Sequence, residues 1–292
     1  MMGPPLKTLV TGTRGFLGSR VVAALEQSPG VLVTPHTRDE CPLEDLAPES
    51  WSFDVVVHLA ARTARGTDED STTELLRSNI TGTQSLLASL IEPPRRFLFA
   101  STADVYAPAH DGEVLDEEAP LAPRTVYAAT KVLGELLVAQ DAKERDYEAV
   151  ILRFGHLFGP GEEAYAKLVP ATINAVLRGR PPYVHGTGQA LKDLLYVDDA
   201  AEAVRRAVVA EGPLPSPLNV VRGQSIAVRE VVNEIVDVAG FLGRVRELPD
   251  EPEGAPRRFD SSKLHGALGQ WDLVELREGL QREVAHVSRG CL

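Results

Sequence analysis

Lys7–Gln27 reads KTLVTGTRGFLGSRVVAALEQ, and this stretch decides the fold. A short β-branched and aliphatic run (Leu9, Val10, Thr11) meets three glycines, Gly12, Gly15 and Gly18, and an apolar-periodic helix follows through Val21, Val22 and Leu25. Strand, glycine turn, helix is the order a dinucleotide-binding turn requires. Gly12 lets the chain turn tightly, Gly15 lets backbone approach a pyrophosphate, and Gly18 lets the helix pack close on the strand. The helix N-terminus adds unpaired N–H groups and a partial positive charge. The spacing is GxxGxxG, not GxGxxG, so on its own the stretch is also compatible with a ligand-free turn.

Beyond the turn the chain keeps the same rhythm. Val31–Val33 reads as a second strand and Asp54–Ala61 (DVVVHLAA) as a third, its unbroken apolar run suited to a parallel strand covered on both faces. Leu75–Leu90 is helical, with Asn79, Thr81 and Gly82 interrupting its apolar pattern. Arg96–Ala100 is a fourth strand, Thr125–Lys143 a helix starting after Pro123, and Ala149–Phe154 a fifth strand. Strands alternating with helices at this spacing predict right-handed βαβ units and a doubly wound parallel Rossmann sheet. The second half predicts helices at Tyr165–Leu177, with Pro170 in the first turn, and at Asp198–Val209, Val228–Ala239 and Glu275–Val287. Leu218–Val221 is a short strand there, and Asp250–Pro256 a loop. The expected division is a dinucleotide-binding domain over 1–155, rejoined by 190–212, and a smaller α/β substrate domain, mainly 156–292.

Bulk properties narrow the function. The 292 residues carry a net charge of −12, which argues against nucleic acid as a partner because phosphate neutralisation needs a basic face. Two cysteines, Cys41 and Cys291, make no disulfide framework. No run is long enough for a membrane span, and no signal-peptide core precedes the first strand. The expectation is a cytoplasmic protein with no metal site.

Polar residues fall at the predicted strand ends: Thr11, His58, Ser101 with Thr102, and Arg153. Open α/β sheets bind ligands at the carboxyl ends of their strands, so Ser101–Tyr106 (STADVY) lies where a substrate meets a cofactor. Thr102 can equally cap a turn. Tyr127 and Lys131 are four apart on a predicted helix and share a face. Such a pair is often a solvated surface pair, but an ammonium beside a phenol also favours the phenolate and makes the phenol useful in proton transfer.

Eight motifs in register, GTRGFLG, DVVVHLAA, SNITGT, STADVY, YAATK, LRFGHLFGPG, LLYVDDAAEAV and LNVV, make the chain resemble the extended short-chain dehydrogenase/reductase family. This is its nucleotide-sugar epimerase, dehydratase and reductase group, and the likeness runs over nearly the whole chain. The resemblance implies that Gly12, Gly15 and Gly18, with Phe16 and Leu17 of the same turn, hold the pyrophosphate. Leu59, Ala60, Ala61, Ser101 and Phe154 then line the cofactor, and Asn79 braces the central strands. Thr102 takes the position of the hydrogen-bonding hydroxyl, Tyr127 that of the proton donor, and Lys131 that of the ribose-binding, phenol-tuning lysine. On the substrate side stand Thr63, Ala103, His156 and Lys192. Asp104 is a candidate base or a solvated turn carboxylate.

Departures from the family pattern refine the expectation. Ala103-Asp104 stands where the dehydratases carry Asp-Glu, which disfavours elimination. His156 replaces a usual Asn, and Lys192 replaces an arginine that commonly holds the diphosphate. The late RPG-like motif lacks its arginine, although Arg257 and Arg258 lie near. Family members that use NAD carry a carboxylate after the second strand, and here that position is about His36. With Arg38 two residues on and Arg14 inside the glycine turn, NADP(H) is expected over NAD, since a guanidinium binds a 2′-phosphate and a carboxylate repels it. The reading is an NADPH-dependent ketoreductase of a nucleotide-linked keto sugar, a 4-keto-6-deoxyhexose, working as a homodimer. The alternatives are an epimerase that retains its cofactor, a non-catalytic NADP-binding sensor, and an enzyme whose substrate is not a sugar nucleotide.

Overall fold

The computed structural model describes residues 4–63, 69–110, 112–162, 167–249 and 257–290. The expected loop at Asp250–Pro256, Tyr165 at the expected start of a helix, and Cys291 lie outside them. In chain order the first half contains β1 (Leu6–Thr11), α1 (Phe16–Glu26), β2 (Val31–His36), β3 (Val55–His58), α2 (Glu69–Leu76), α3 (Gly82–Ser89), β4 (Arg96–Thr102), β5 (Val114–Leu115), α4 (Val126–Arg145) and β6 (Glu148–Phe154). The second contains β7 (His156–Phe158), α5 (Leu168–Leu177), β8 (Tyr183–His185), β9 (Leu191–Tyr196), α6 (Val197–Val209), β10 (Leu218–Val220), β11 (Ser225–Ala227), α7 (Val228–Val238), β12 (Arg246–Leu248), β13 (Arg258–Phe259), α8 (Ser262–Leu268) and α9 (Leu276–Gly290).

Six strands form one sheet in the order β2-β1-β3-β4-β6-β10, and every pairing in it is parallel. The order reverses between β1 and β3, where Thr11 and His58 are Cα partners at the carboxyl ends. Strand alternation sends Val10, Val57, Leu98 and Leu152 to a face packed with Val21 and Leu25 of α1 and Ala203 and Val204 of α6. Leu9, Val56, Phe97 and Phe99 go to the opposite face, with Leu86 of α3 and Val138 of α4. Helices therefore cover both faces of a Rossmann sheet, as the unbroken apolar strands predicted.

Two differences matter for the site. The expected single helix over Leu75–Leu90 starts earlier, at Glu69, and is interrupted by a π-helical turn at Arg77–Thr81 between α2 and α3. Those are the positions where Asn79 and Thr81 broke the apolar pattern. The second half also holds strands the sequence did not announce, β7 to β9 and β11 to β13, of two, three or six residues. Most are too short to show a period of two. β9 pairs with both β7 and β11.

Candidate active site

The glycine turn joins β1 to α1 at the point where the strand order reverses. Gly12 has φ +74, and a Cβ there would stand 2.7 Å from the Ala60 backbone nitrogen. A Cβ on Gly18 would meet the Gly12 carbonyl oxygen at 2.1 Å, so only glycine lets α1 come this close to the turn. Gly15 differs: its Cβ would touch only the Gly12 oxygen, at 3.0 Å, and otherwise face open space. No side chain caps α1 and its first turn holds no carboxylate, so the N–H groups at that end remain for an anion. The turn fits the pyrophosphate of a dinucleotide. Phe16 and Leu17 are half-buried in the first turn, Leu17 packed on the sheet core.

A hydrogen-bond chain fixes the segment after β3. The Ala60 N–H donates to Thr11 Oγ1 (3.2 Å), and that hydroxyl donates to His58 Nδ1 (2.8 Å). Thr83 donates its hydroxyl to the Asn79 carbonyl, so it must accept from His58 Nε2 at 3.0 Å. The partners thus assign His58 as the neutral Nε2–H tautomer. Burial, and then the Lys131 charge, push it down to about 3. From the π-helical turn, Asn79 accepts from the Arg62 N–H (2.7 Å) and donates to the Arg62 carbonyl (3.0 Å) and to Thr130 of α4 (3.0 Å). Asn79 clamps the loop that carries Leu59, Ala60, Ala61 and Thr63.

Thr102 ends β4, and its Oγ1 accepts from the Asp104 N–H (3.2 Å), which leaves its proton to donate. α4 packs on β4 and on the turn that follows it. Thr125 caps α4 by accepting from the Ala128 N–H, and the first turn then presents Tyr127, half-buried. One turn later Lys131 is buried, donates to the Ala100 carbonyl at 2.7 Å, and lies 5.9 Å from the Tyr127 ring centre. Burial lowers it to about 8 against the opposing pull of Glu135, so it is charged at neutral pH.

Two expected cofactor residues turn elsewhere. The Ser101 hydroxyl donates to Glu135 in a buried bond, and Phe154 packs into the core on the α1 and α6 side. At the end of β2, His36 donates Nε2–H to the Cys41 carbonyl (2.9 Å), its ring 5.1 Å from that of Trp51. Arg14 is paired with Asp39, and Arg38 with Glu44 at 2.7 Å. Both guanidiniums are exposed and both carry a carboxylate partner.

Of the residues expected at the substrate, Ala103 is buried, and neighbouring Asp104 pairs with Arg257 at 2.7 Å. His156 begins β7, beside β9, which bears Lys192. Burial, then the Lys192 charge, hold His156 down at about 4, with Lys167 and Arg257 adding to the effect and Asp104 opposing it. Three cations, Lys192, Lys167 and Arg257, thus surround His156, with the carboxylate of Asp104 paired to Arg257 and that of buried Glu162 paired to Lys167 at 3.5 Å. Sequence reasoning passed over Glu135, and noted Arg257 only as lying near. Glu135 repeats the Tyr127–Lys131 spacing once more along α4, the signal that was available.

The chain matches the NAD dependent epimerase/dehydratase family over residues 8–220. It is 28% identical to dTDP-glucose 4,6-dehydratase of Streptomyces griseus, over 95% of this chain and 92% of that protein. Among solved structures, UDP-glucose 4-epimerase of Thermus thermophilus in complex with NAD superimposes with a TM-score of 0.80 at 25% identity, covering 98% of this chain and 100% of that one. RMD from Pseudomonas aeruginosa complexed with NADPH gives a TM-score of 0.81 at 25% identity, covering 96% of this chain and 98% of that one.

Proposed function

The chain belongs to the NAD dependent epimerase/dehydratase family, and on that footing we propose that it is an NADPH-dependent reductase of a keto sugar carried on a nucleoside diphosphate, a 4-keto-6-deoxyhexose. The observation that carries this reading is the state of Asp104. Elimination and deprotonating epimerisation each need a free base beside the sugar, whereas Ala103 has no carboxylate and that of Asp104 is taken by Arg257. Carbonyl reduction needs only a hydride, a proton and a hold on the oxygen. A bound dihydronicotinamide would supply the hydride to the carbonyl carbon. Thr102 donates a hydrogen bond to the carbonyl oxygen, and Tyr127 passes its proton to that oxygen as it becomes an alkoxide. Lys131, charged and fixed on Ala100, favours the resulting phenolate and lies where the cofactor ribose is expected.

His36 in place of an acid, with exposed Arg14 and Arg38 close by, supports NADP(H), as does the likeness to a protein complexed with NADPH. The cofactor half is read as 1–155 with 190–212, and the substrate half as mainly 156–292, with His156 and Lys192 at the diphosphate. Val126, Leu133 and Leu136 lie exposed along one face of α4, and an apolar stripe of this kind supports a homodimer. Free Cys41 supports a cytoplasmic location.

The test is a set of nucleotide-linked keto sugars assayed for NADPH oxidation, with NADH in parallel. One NADPH consumed per sugar reduced is the expected result. A rearranged sugar with no net cofactor use would instead establish the second reading, an epimerase retaining NAD. The pairing of Arg14 with Asp39 and of Arg38 with Glu44 favours that reading, because a 2′-phosphate must compete for each guanidinium.

A further inference from the structure

Two successive turns of α4 grip two successive residues of β4. Lys131 donates to the Ala100 carbonyl at 2.7 Å, and Glu135 accepts the hydroxyl proton of Ser101. The next residue of β4 is Thr102, and the preceding turn of the same helix face carries Tyr127. Glu135 is itself held from the far side by Arg153, whose Nε reaches Oε1 at 3.1 Å and whose Nη2 reaches Oε2 at 2.8 Å. Arg153 is the sheet partner of Ser101, so the carboxylate is anchored across a pair of adjacent strands. Its remaining nitrogen donates to the Tyr106 hydroxyl (3.1 Å) and the Glu117 carbonyl (3.2 Å). Ser101, Tyr106, Lys131, Glu135 and Arg153 are all buried.

We propose that Glu135 is a positioning residue for the reactive pair: its carboxylate is the buried counter-charge one helical turn beyond Lys131, and its tie to Ser101 sets the register of the Tyr127 face of α4 against Thr102. The inference rests on the reading of Tyr127 and Lys131 as that pair. A lysine sealed away from water loses its proton readily unless a carboxylate stands near. Among the described residues, the titratable groups packed around it are these. His58 approaches from β3 and is neutral, and Arg153 on β6 is a cation locked onto Glu135. The carboxylate of Glu117 is turned to the Asn219 N–H, and the Tyr106 hydroxyl, raised by burial, donates to Asn219. Glu135 is the group that opposes burial at Lys131.

The chain has six lysines, so ¹³C-labelled lysine lets Lys131 be titrated directly by NMR in the free protein, assigned by Lys131→Met. The parent should titrate near 8. Glu135→Gln, which keeps shape and removes charge, should lower the midpoint by about one pH unit or more. Ser101→Ala breaks the same helix-to-strand contact but leaves the charge, and should leave the midpoint in place. Should Glu135→Gln not fold, Glu135→Met with Arg153→Met avoids a lone buried charge and should also titrate below the parent. An unmoved midpoint in the folded Glu135 variant, or an equal shift in Ser101→Ala, would overturn the proposal. Since no substrate enters the titration, a failed keto-sugar assay leaves this result standing by itself.

Discussion

Asp104 and Arg257 meet at 2.7 Å although 153 positions separate them in the chain. The pair ties the turn after β4, where the Asp104 N–H also holds the Thr102 hydroxyl, to the segment leading into β13. If Asp104 serves this tie and is not a base, Asp104→Asn should keep most of its turnover, and the change should show in KM. A base would cost about 10²–10⁴ in kcat on removal. Steady-state kinetics on the reduced keto sugar decides, and a collapse of kcat with KM unmoved would restore Asp104 to the chemistry.

Tyr127→Phe removes one oxygen at the half-buried start of α4 and leaves Lys131 on Ala100. Dinucleotide affinity by calorimetry should be unchanged, while kcat falls by about 10²–10⁴. Retained turnover would reject the proton-donor role.

The second and third glycines should separate fold from binding. Gly18→Ala drives a methyl to 2.1 Å from the Gly12 carbonyl, backbone against backbone, and should cost about 1–3 kcal/mol or more, seen as a lower melting temperature. Gly15→Ala meets only that same oxygen, at 3.0 Å, and should lose much less stability than Gly18→Ala. It should nevertheless bind dinucleotide roughly tenfold or more weakly, about 1.4 kcal/mol. Equal losses of stability in the two variants would contradict the division of roles.

His58 titrates at about 3 in the folded chain and near 6.5 when unfolded, because burial first and Lys131 second disfavour its cation. The unfolded chain therefore binds the extra proton between those values. The stabilisation is complete above pH 6.5 and is lost as pH falls toward 3, about 2 kcal/mol of it by pH 5. Asp193 and Asp199, raised to about 6 chiefly by burial, work in the opposite sense, gaining stability as pH falls from 6 toward the ordinary carboxylate value. Comparison with His58→Gln cancels them. Denaturant unfolding at pH 7.5 and pH 5 should show the gap between parent and variant narrowing by about 2 kcal/mol, and a constant gap would mean that His58 is not held neutral.

Leu136 is 61% exposed on α4 and continues the stripe of Val126 and Leu133. Leu136→Glu should convert a dimer to a monomer in sedimentation velocity while leaving the circular dichroism spectrum unchanged. Identical sedimentation of parent and variant would remove the α4 face as the interface.

The sheet was legible because its strands are buried on both sides and read as unbroken apolar runs, and because the three glycines mark the first crossover. The turn at Arg77–Thr81 was visible only as a defect in periodicity, since nothing local distinguishes a widened turn from a weak helix. The short strands of the second half carry too few residues to show alternation. Asp104–Arg257 and Glu135–Arg153 are pairings across elements, so spacing could not reveal them. Arg153 was visible as a charged residue closing an apolar strand, an anomaly whose explanation sits 18 residues away.

The widened turn has a bearing on how this chain can be shortened. A π turn accommodates one more residue than the regular helix on either side of it. Excising one residue from Arg77–Thr81 would therefore let the helix heal with α3 still in phase with α2, and Leu86 and Leu87 would stay on the sheet. The loss would fall on the bulge itself, because Asn79 would no longer reach the Arg62 backbone and Thr130 together. A single deletion here should thus be tolerated by the fold better than one inside α2 or α3, and should be felt mainly in the loop after β3.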